Sequence, residues 1–378
     1  MTTTLRHAAG SLLVVGLGGT ELTALERAWL KLVRPAGVIL FRRNIVDVTQ
    51  TRALLDEATA LCAGYAFRCV DVEGGTVDRL RDALAPLPSA QAVAAAMRQR
   101  RKPALARKHG EWIARGVKAF GFNTTLAPVL DLALPASATV MGTRTAAAHA
   151  EGVAAYAREF LAGLAAHNVA GCGKHFPGLG AGALDSHKET PQILRAWREL
   201  WEEDLSPYRT LGAALPMVMV NHAAYPHTRG GARPASVSSF WISTVLRKRM
   251  GYRGIVFSDD LEMGGVLKCM SIEDAALEAI RAGMDTVEIC HSAELILRAY
   301  EALVREAERS AAFETLLLAR AREMTRKRAG LFAGGAGRAL STRQFESLRA
   351  GITRFHAEIS RWASPAAGTR GKTLVETA

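Results

Sequence analysis

Short apolar runs without polar alternation recur along the chain, each followed by a longer stretch of helical periodicity. There are eight: Leu12–Leu17, Gly37–Phe41, Phe67–Val72, Phe122–Ala127, Val169–Gly173, Pro216–Asn221, Gly254–Ser258 and Asp285–Cys290. A strand with one wet face alternates apolar and polar residues, so continuous Val- and Ile-rich runs call for a parallel sheet covered on both sides. Eight such units over about 290 residues predict a (β/α)₈ barrel, an α/β fold of the TIM type. A doubly wound open sheet is the rival arrangement. It is weakened because VGLGGTE after the first run lacks a full G-x-G-x-x-G fingerprint.

Local signals support the helical intervals. Ala148–Ala166 and Ile272–Ala282 read as helices, the second with Ser271 as N-cap, Glu273 and Asp274 in its first turn and Gly283 as its stop. The barrel is predicted over residues 1–332, followed by a Gly/Ala-rich linker at 333–340. Ser341 and Gln344 then form a capping box for a C-terminal helix over 341–363. Its apolar residues Phe345, Leu348, Ile352, Phe355, Ile359 and Trp362 make one stripe, which predicts docking on the barrel or, second, a dimer contact. Residues 364–378 are predicted to be a disordered tail.

Composition narrows the class. No apolar run reaches the eighteen or so residues of a membrane helix, which predicts no membrane association. The apolar run near the N-terminus has no A-x-A-like cleavage site and serves as a first strand rather than a secretory signal. The five cysteines are scattered and odd in number, as expected of reduced thiols in a cytoplasmic protein. A net charge of +12 is spread through the chain with no aromatic-interleaved basic patch, so a solvated basic surface is expected and no nucleic-acid partner.

The chemistry gathers at the ends of the runs. Asp71 and Glu73 end the third in DVEGGTVDRL, with Arg79 beyond; the fourth ends at Pro128 and leads to Asp131. The fifth delivers Lys174 and His175, the sixth Asn221 and His222, and the seventh Asp259 and Asp260 in SDDLEM. In a barrel these ends share one face, the face on which catalytic groups gather. Asp131 and Asp260 read as loop or cap residues, and His222 as either a hydrogen-bonded rim histidine or a site residue. Asp185 and His187 would not share a helix face, since i and i+2 do not meet. In the extended, Gly-rich loop after His175 they can converge, the carboxylate setting the imidazole tautomer.

These residues resemble a known family. GKHFPGLGAGALDSHKETP is similar to the signature loop of the glycoside hydrolase family 3 β-N-acetylglucosaminidases, the bacterial single-domain enzymes of cell-wall recycling. GVILFRRNI, VDVEGGTVDRL, NTTLAPVLD, MGTR, NHAAYP and FSDDLEM resemble its further motifs in the same order, over roughly residues 10–330. The resemblance implies the same barrel. It also implies Asp259 as nucleophile, His187 as acid/base, Asp185 as its partner, and Asp71, Arg79, Arg144, Lys174 and His175 as the residues that hold N-acetylglucosamine. It implies no cofactor or metal, a small carbohydrate or muropeptide substrate, and a monomer or weak homodimer. Thr76 stands where the family usually has Arg, and Leu179 where its loop usually has His; the segment from about Gly334 lies outside the resemblance. Two other classes compete: a barrel metallohydrolase using His175, Asp185, His187, His222 and Asp259, and a non-catalytic sugar-binding homologue.

Overall fold

A computed structural model of the chain describes residues 2–182, 190–335 and 337–363. Eight strands close into a parallel barrel: β1 (Leu13–Gly16), β2 (Gly37–Leu40), β3 (Phe67–Val70), β6 (Thr124–Thr125), β7 (Ala170–Phe176), β8 (Met217–Val220), β9 (Ile255–Asp260) and β10 (Thr286–Ile289). Every predicted run contributes its strand, and β1 pairs with both β2 and β10, so no sheet edge is left open. That closure excludes the doubly wound alternative.

The other two strands, β4 (Val72–Gly74) and β5 (Val77–Asp78), form an antiparallel hairpin directly after β3. Nothing in the apolar pattern announces it, because its arms are three and two residues long. Gly75 turns it at φ +68°, a conformation that a β-carbon disfavours. β7 runs three residues past the predicted end, so Lys174 and His175 are the last turns of a strand rather than the start of a loop. β6 is short because Pro128 follows closely and cannot donate to a ladder.

Helix Ala150–Ala165 and helix Ile272–Ala282 fall where periodicity places them, and the Ser271 side chain accepts from Asp274 N–H. A helix over Thr2–Gly10 precedes β1. After β10, helices Ala293–Arg309 and Ala311–Phe332 complete the ring. From the second of these, Arg328 is fully buried and donates to the Ala36 carbonyl at 2.8 Å, while Phe332 meets Phe67 edge-on at 5.2 Å. Both contacts lie at the N-terminal ends of β2 and β3, so this helix seals the barrel's lower face.

The C-terminal helix runs Thr342–Trp362 behind its Ser341–Gln344 capping box. Its stripe of Leu348, Ile352, Phe355 and Ile359 is buried against helices Ala90–Arg100 and Ala104–Ala119. A β-carbon on Gly351 would come within 2.3 Å of the Trp112 ring, so the helix lies close because that residue is glycine. No described helix is long and apolar enough to cross a membrane. The predicted tail, 364–378, lies outside the described residues.

Candidate active site

β7 places Lys174 and His175 on the upper rim, joined by a cis peptide. The Lys174 ammonium donates to Asp71 Oδ1 at 2.8 Å and lies 2.7 Å from Glu73 Oε1. The Arg144 guanidinium meets Glu73 fork to fork, with both N···O distances 2.9 Å, and its Nη2 lies 3.3 Å from His175 Nε2. His175 Nδ1 sits 2.6 Å from Asp131 Oδ2. A carboxylate there requires Nδ1 to carry the proton, which leaves Nε2 as the acceptor facing Arg144. Five of the named groups therefore form one chain, Asp71–Lys174–Glu73–Arg144–His175, with Asp131 as its anchor.

The chain alternates in sign, which is why such burial is tolerable. Lys174 is 3% exposed and Glu73 is 3%. Burial alone would lower the Lys174 pKa, but the Asp71 and Glu73 carboxylates outweigh it and hold the ammonium charged. For Glu73 burial pushes the other way, and Arg144 with Lys174 more than reverses it, holding the carboxyl well below its ordinary range. Glu73 is the member both cations share, so its removal takes a carboxylate from Lys174 and Arg144 at once.

Asp259 ends β9 next to Asp260 and is partly exposed at the rim. Its Oδ1 accepts from Asp260 N–H at 3.0 Å. Asp260 behaves as the turn residue its position suggests, accepting from the N–H groups of Glu262 and Cys290. Burial, with Glu262 and Asp259 nearby, raises its pKa to about 7. His222 is a hydrogen-bonded rim histidine: its Nε2 lies 2.8 Å from the Asp260 carbonyl and its Nδ1 2.7 Å from Ser236 Oγ. With one nitrogen donating and the other accepting, it offers no lone pair to a metal. Among the described residues the one grouping with metal-ligand geometry is Asp260, Glu262 and His291, which is not the predicted set. Arg79 is buried, with its guanidinium 5.8 Å from the Phe41 ring and its amide bonded to the Asp71 carbonyl. Asp185 and His187 lie outside the described residues.

Sequence reasoning passed over three residues that the fold brings in. Glu73 was visible only as one more acid at a run's end, yet it binds both cations of the chain. Asp131 does cap the turn after β7, accepting from Leu179 N–H at 2.6 Å, but it also orients the His175 ring. Its partners are 44 and 48 residues away, beyond the reach of spacing arguments. Glu288, on β10, is buried beneath the rim with Oε1 taking no hydrogen bond. Burial, followed by Asp71, Asp260 and Asp259, raises its pKa well above the usual carboxyl range.

Comparison with known proteins places the chain in a family. The family described as the glycosyl hydrolase family 3 N-terminal domain matches residues 4–323. A β-hexosaminidase of Stenotrophomonas maltophilia (strain R551-3) is 36% identical over 309 residues, covering 81% of this chain and 91% of that protein. The family 3 β-N-acetylglucosaminidase structure from Paenibacillus sp. str. FPU-7 superposes with a TM-score of 0.83 at 29% identity, over 93% of this chain and 68% of that one. NagZ from Neisseria gonorrhoeae superposes at 0.73 with 28% identity, over 94% and 98% of the two chains. This chain belongs to glycosyl hydrolase family 3 and is a glycoside hydrolase.

Proposed function

We propose that the enzyme is a retaining, exo-acting β-N-acetylglucosaminidase, removing terminal N-acetylglucosamine from β-linked glycosides. The observation that carries this reading is the convergence of Asp71, Lys174, Glu73, Arg144 and His175 with Asp259 on the upper rim of one barrel. A sugar needs several fixed, paired hydrogen-bonding groups, and the ion chain supplies them without unpaired charge. The names of the relatives support the same substrate class.

The mechanism follows from the residue types. In a double displacement, Asp259 attacks the anomeric carbon as the glycosidic C–O bond breaks, giving a glycosyl ester on its carboxylate. The departing oxygen takes a proton from the His187 imidazolium, whose charged form a neighbouring Asp185 carboxylate would favour. His187, now neutral, takes a proton from water, which attacks the same carbon and expels Asp259. An imidazole with an ordinary pKa near about 6.5 can serve both halves of the cycle at neutral pH. Asp131 acts one step back, holding His175 where it can bind the sugar. Cytoplasmic action on muropeptides derived from peptidoglycan is the substrate assignment we favour. It is consistent with five free thiols, four of them buried.

A set of aryl β-glycosides with and without a 2-acetamido group tests the reading. Turnover is expected of the N-acetylglucosaminide and not of the glucoside. Equal rates on both, or hydrolysis of the glucoside alone, would overturn the assignment.

A further inference from the structure

Counted by segment, the chain's positive charge is concentrated. Residues 98–118 hold eight Lys and Arg against one Glu, and residues 338–361 hold five Arg against two Glu. Together they carry ten of the twelve net positive charges. The fold lays the second segment against the first, with helix Thr342–Trp362 packed on helices Ala90–Arg100 and Ala104–Ala119. Like charges gathered on one flank repel, a cost that an anion between them removes.

At the lower end of this flank, just before β6 and β7 begin, the two segments enclose a cavity of about 390 Å³, a size in the range of small-molecule sites. Helix Ala104–Ala119 supplies Arg115 and Lys118, the approach to β7 supplies His167, and the linker supplies Arg338. Gln344 and Ser347 come from the first turns of helix Thr342–Trp362. No carboxylate lines the cavity among the described residues; Glu111, one turn before Arg115, acts on His167 from outside the lining. Gln344 Oε1 accepts from Ser341 N–H in the capping box, which leaves its NH2 group to donate. Every polar side chain of the lining can therefore donate a hydrogen bond, and three of them carry a full charge.

The backbone is arranged to the same end. The last carbonyls of helix Ala104–Ala119, the negative end of its dipole, would repel an anion. Arg52 Nη1 takes the carbonyls of Lys118 and Ala119 at 3.2 Å each, and its Nη2 takes the Gly337 carbonyl at 2.8 Å. Gly337 lies at φ +75°, and a β-carbon on it would come within 3.2 Å of Lys118 Cε, so the linker crosses close over the lysine stem. The facing wall is the start of a 21-residue helix, whose positive end favours negative charge.

We infer that this cavity is a binding site for a small phosphate-bearing molecule, seated between Arg115, Lys118 and Arg338. Three full charges exceed what one carboxylate can match. They suit a phosphate group of two or more charges, whose oxygens take the arginine forks in pairs. Such a ligand bridges the barrel and the segment beyond residue 323, where the family match ends, and so secures the linker and the C-terminal helix. The site lies at the opposite end of the barrel from Asp259 and does not depend on the glycosidase reading.

Inorganic pyrophosphate is the probe, titrated into the full-length enzyme by calorimetry, and one molecule should bind per chain. Arg338→Gln and Arg115→Gln should each weaken it about tenfold, the scale of one charge-assisted hydrogen bond. Arg115 also lies over the Trp112 ring at 4.5 Å, so Lys118→Gln serves as a second variant on the barrel side, with the same loss expected. Arg101→Gln removes an equal charge from the same flank, roughly 20 Å away along the helix and beyond the Debye length at 0.15 M salt. It should change the Kd less than about twofold. Trypsin cleavage after Arg338 should slow at saturating pyrophosphate. No saturable binding, or unchanged cleavage at saturation, would overturn the inference. So would equal weakening by Arg101→Gln and Arg338→Gln, which would mean a diffuse attraction of anions to the flank.

Discussion

The two ends of the barrel carry ion clusters of similar chemistry. On the upper rim Lys174 and Arg144 compensate Asp71 and Glu73. At the lower end Asp285, fully buried just before β10, meets Arg247 at 2.5 Å, Lys327 at 3.0 Å and Arg320 at 3.3 Å. Two of these cations also donate to the Gly254 carbonyl before β9, so the lower cluster stitches strand starts to the last barrel helix. A buried ion pair is thus no mark of function by itself. What separates the two is the end of the strands on which each sits and what else is there. The upper cluster shares its face with Asp259, and the lower one has backbone carbonyls for company.

This comparison can be broken by substitution. The largest effect is expected at Asp259: changing it to Ala should lower kcat on an aryl N-acetylglucosaminide by on the order of 10⁴–10⁶-fold, as loss of a nucleophile does. Circular dichroism and thermal unfolding should stay close to wild type. Substantial residual turnover would move the nucleophile elsewhere.

The clusters themselves should part company next. Lys174→Met should reduce kcat/KM about 10²-fold, the scale of losing one preorganised charged donor. Asp285→Ala should instead cost about 3 kcal/mol of stability, because it removes the fully buried carboxylate that three partly buried cations share, while folded enzyme keeps kcat/KM within about twofold. If Asp285→Ala damaged the kinetics of folded protein as much as Lys174→Met, the division between the ends would be wrong. Within the upper cluster, Asp131→Asn should raise KM about tenfold with little change in kcat if, as proposed, the His175 ring it loosens holds the substrate. A fall in kcat alone would make His175 a chemical group.

The smallest effect concerns a carboxylate with one cationic partner in place of three. Asp204 lies 3.2 Å from Arg195, its carboxylate oxygens buried without hydrogen bonds, close behind Gly178. Burial raises its pKa to about 7. A raised acid gives its full stabilisation below its unfolded value near about 3.9 and loses it as pH rises to about 7, since the native state binds the proton that the unfolded chain has released. Asp204→Asn mimics the protonated form, so it should be close to neutral below pH about 3.9 and raise Tm by a margin that grows to a few degrees as pH rises to about 7. A Tm difference that does not depend on pH would contradict this assignment.

How much of this was legible follows from range. The barrel strands could be read because a parallel strand buried on both faces writes itself as an uninterrupted apolar run. Even β6, two residues long, sits inside a legible run. The β4–β5 hairpin could not be read, since two and three residues carry no period. Asp259, Lys174 and His175 were legible as polar residues ending such runs. The importance of Glu73 and Asp131 was not, because each depends on partners brought close by barrel closure; Glu73 and Arg144 are 71 residues apart. The C-terminal helix announced its cap and its stripe, but the stripe names only a face to bury. Which helices receive it, and that Gln344 and Ser347 then border a cavity, are consequences of packing.

The central claim is that Asp259 forms a glycosyl ester which water then opens from the opposite face, the one the leaving group vacated. Proton NMR during the first turnovers of an aryl β-N-acetylglucosaminide tests it directly, because mutarotation is slow enough to catch the sugar as released. The account predicts that the β-anomer of N-acetylglucosamine appears first and the α-anomer grows in later. An α-anomer that appears first would mean single displacement by water and would contradict it.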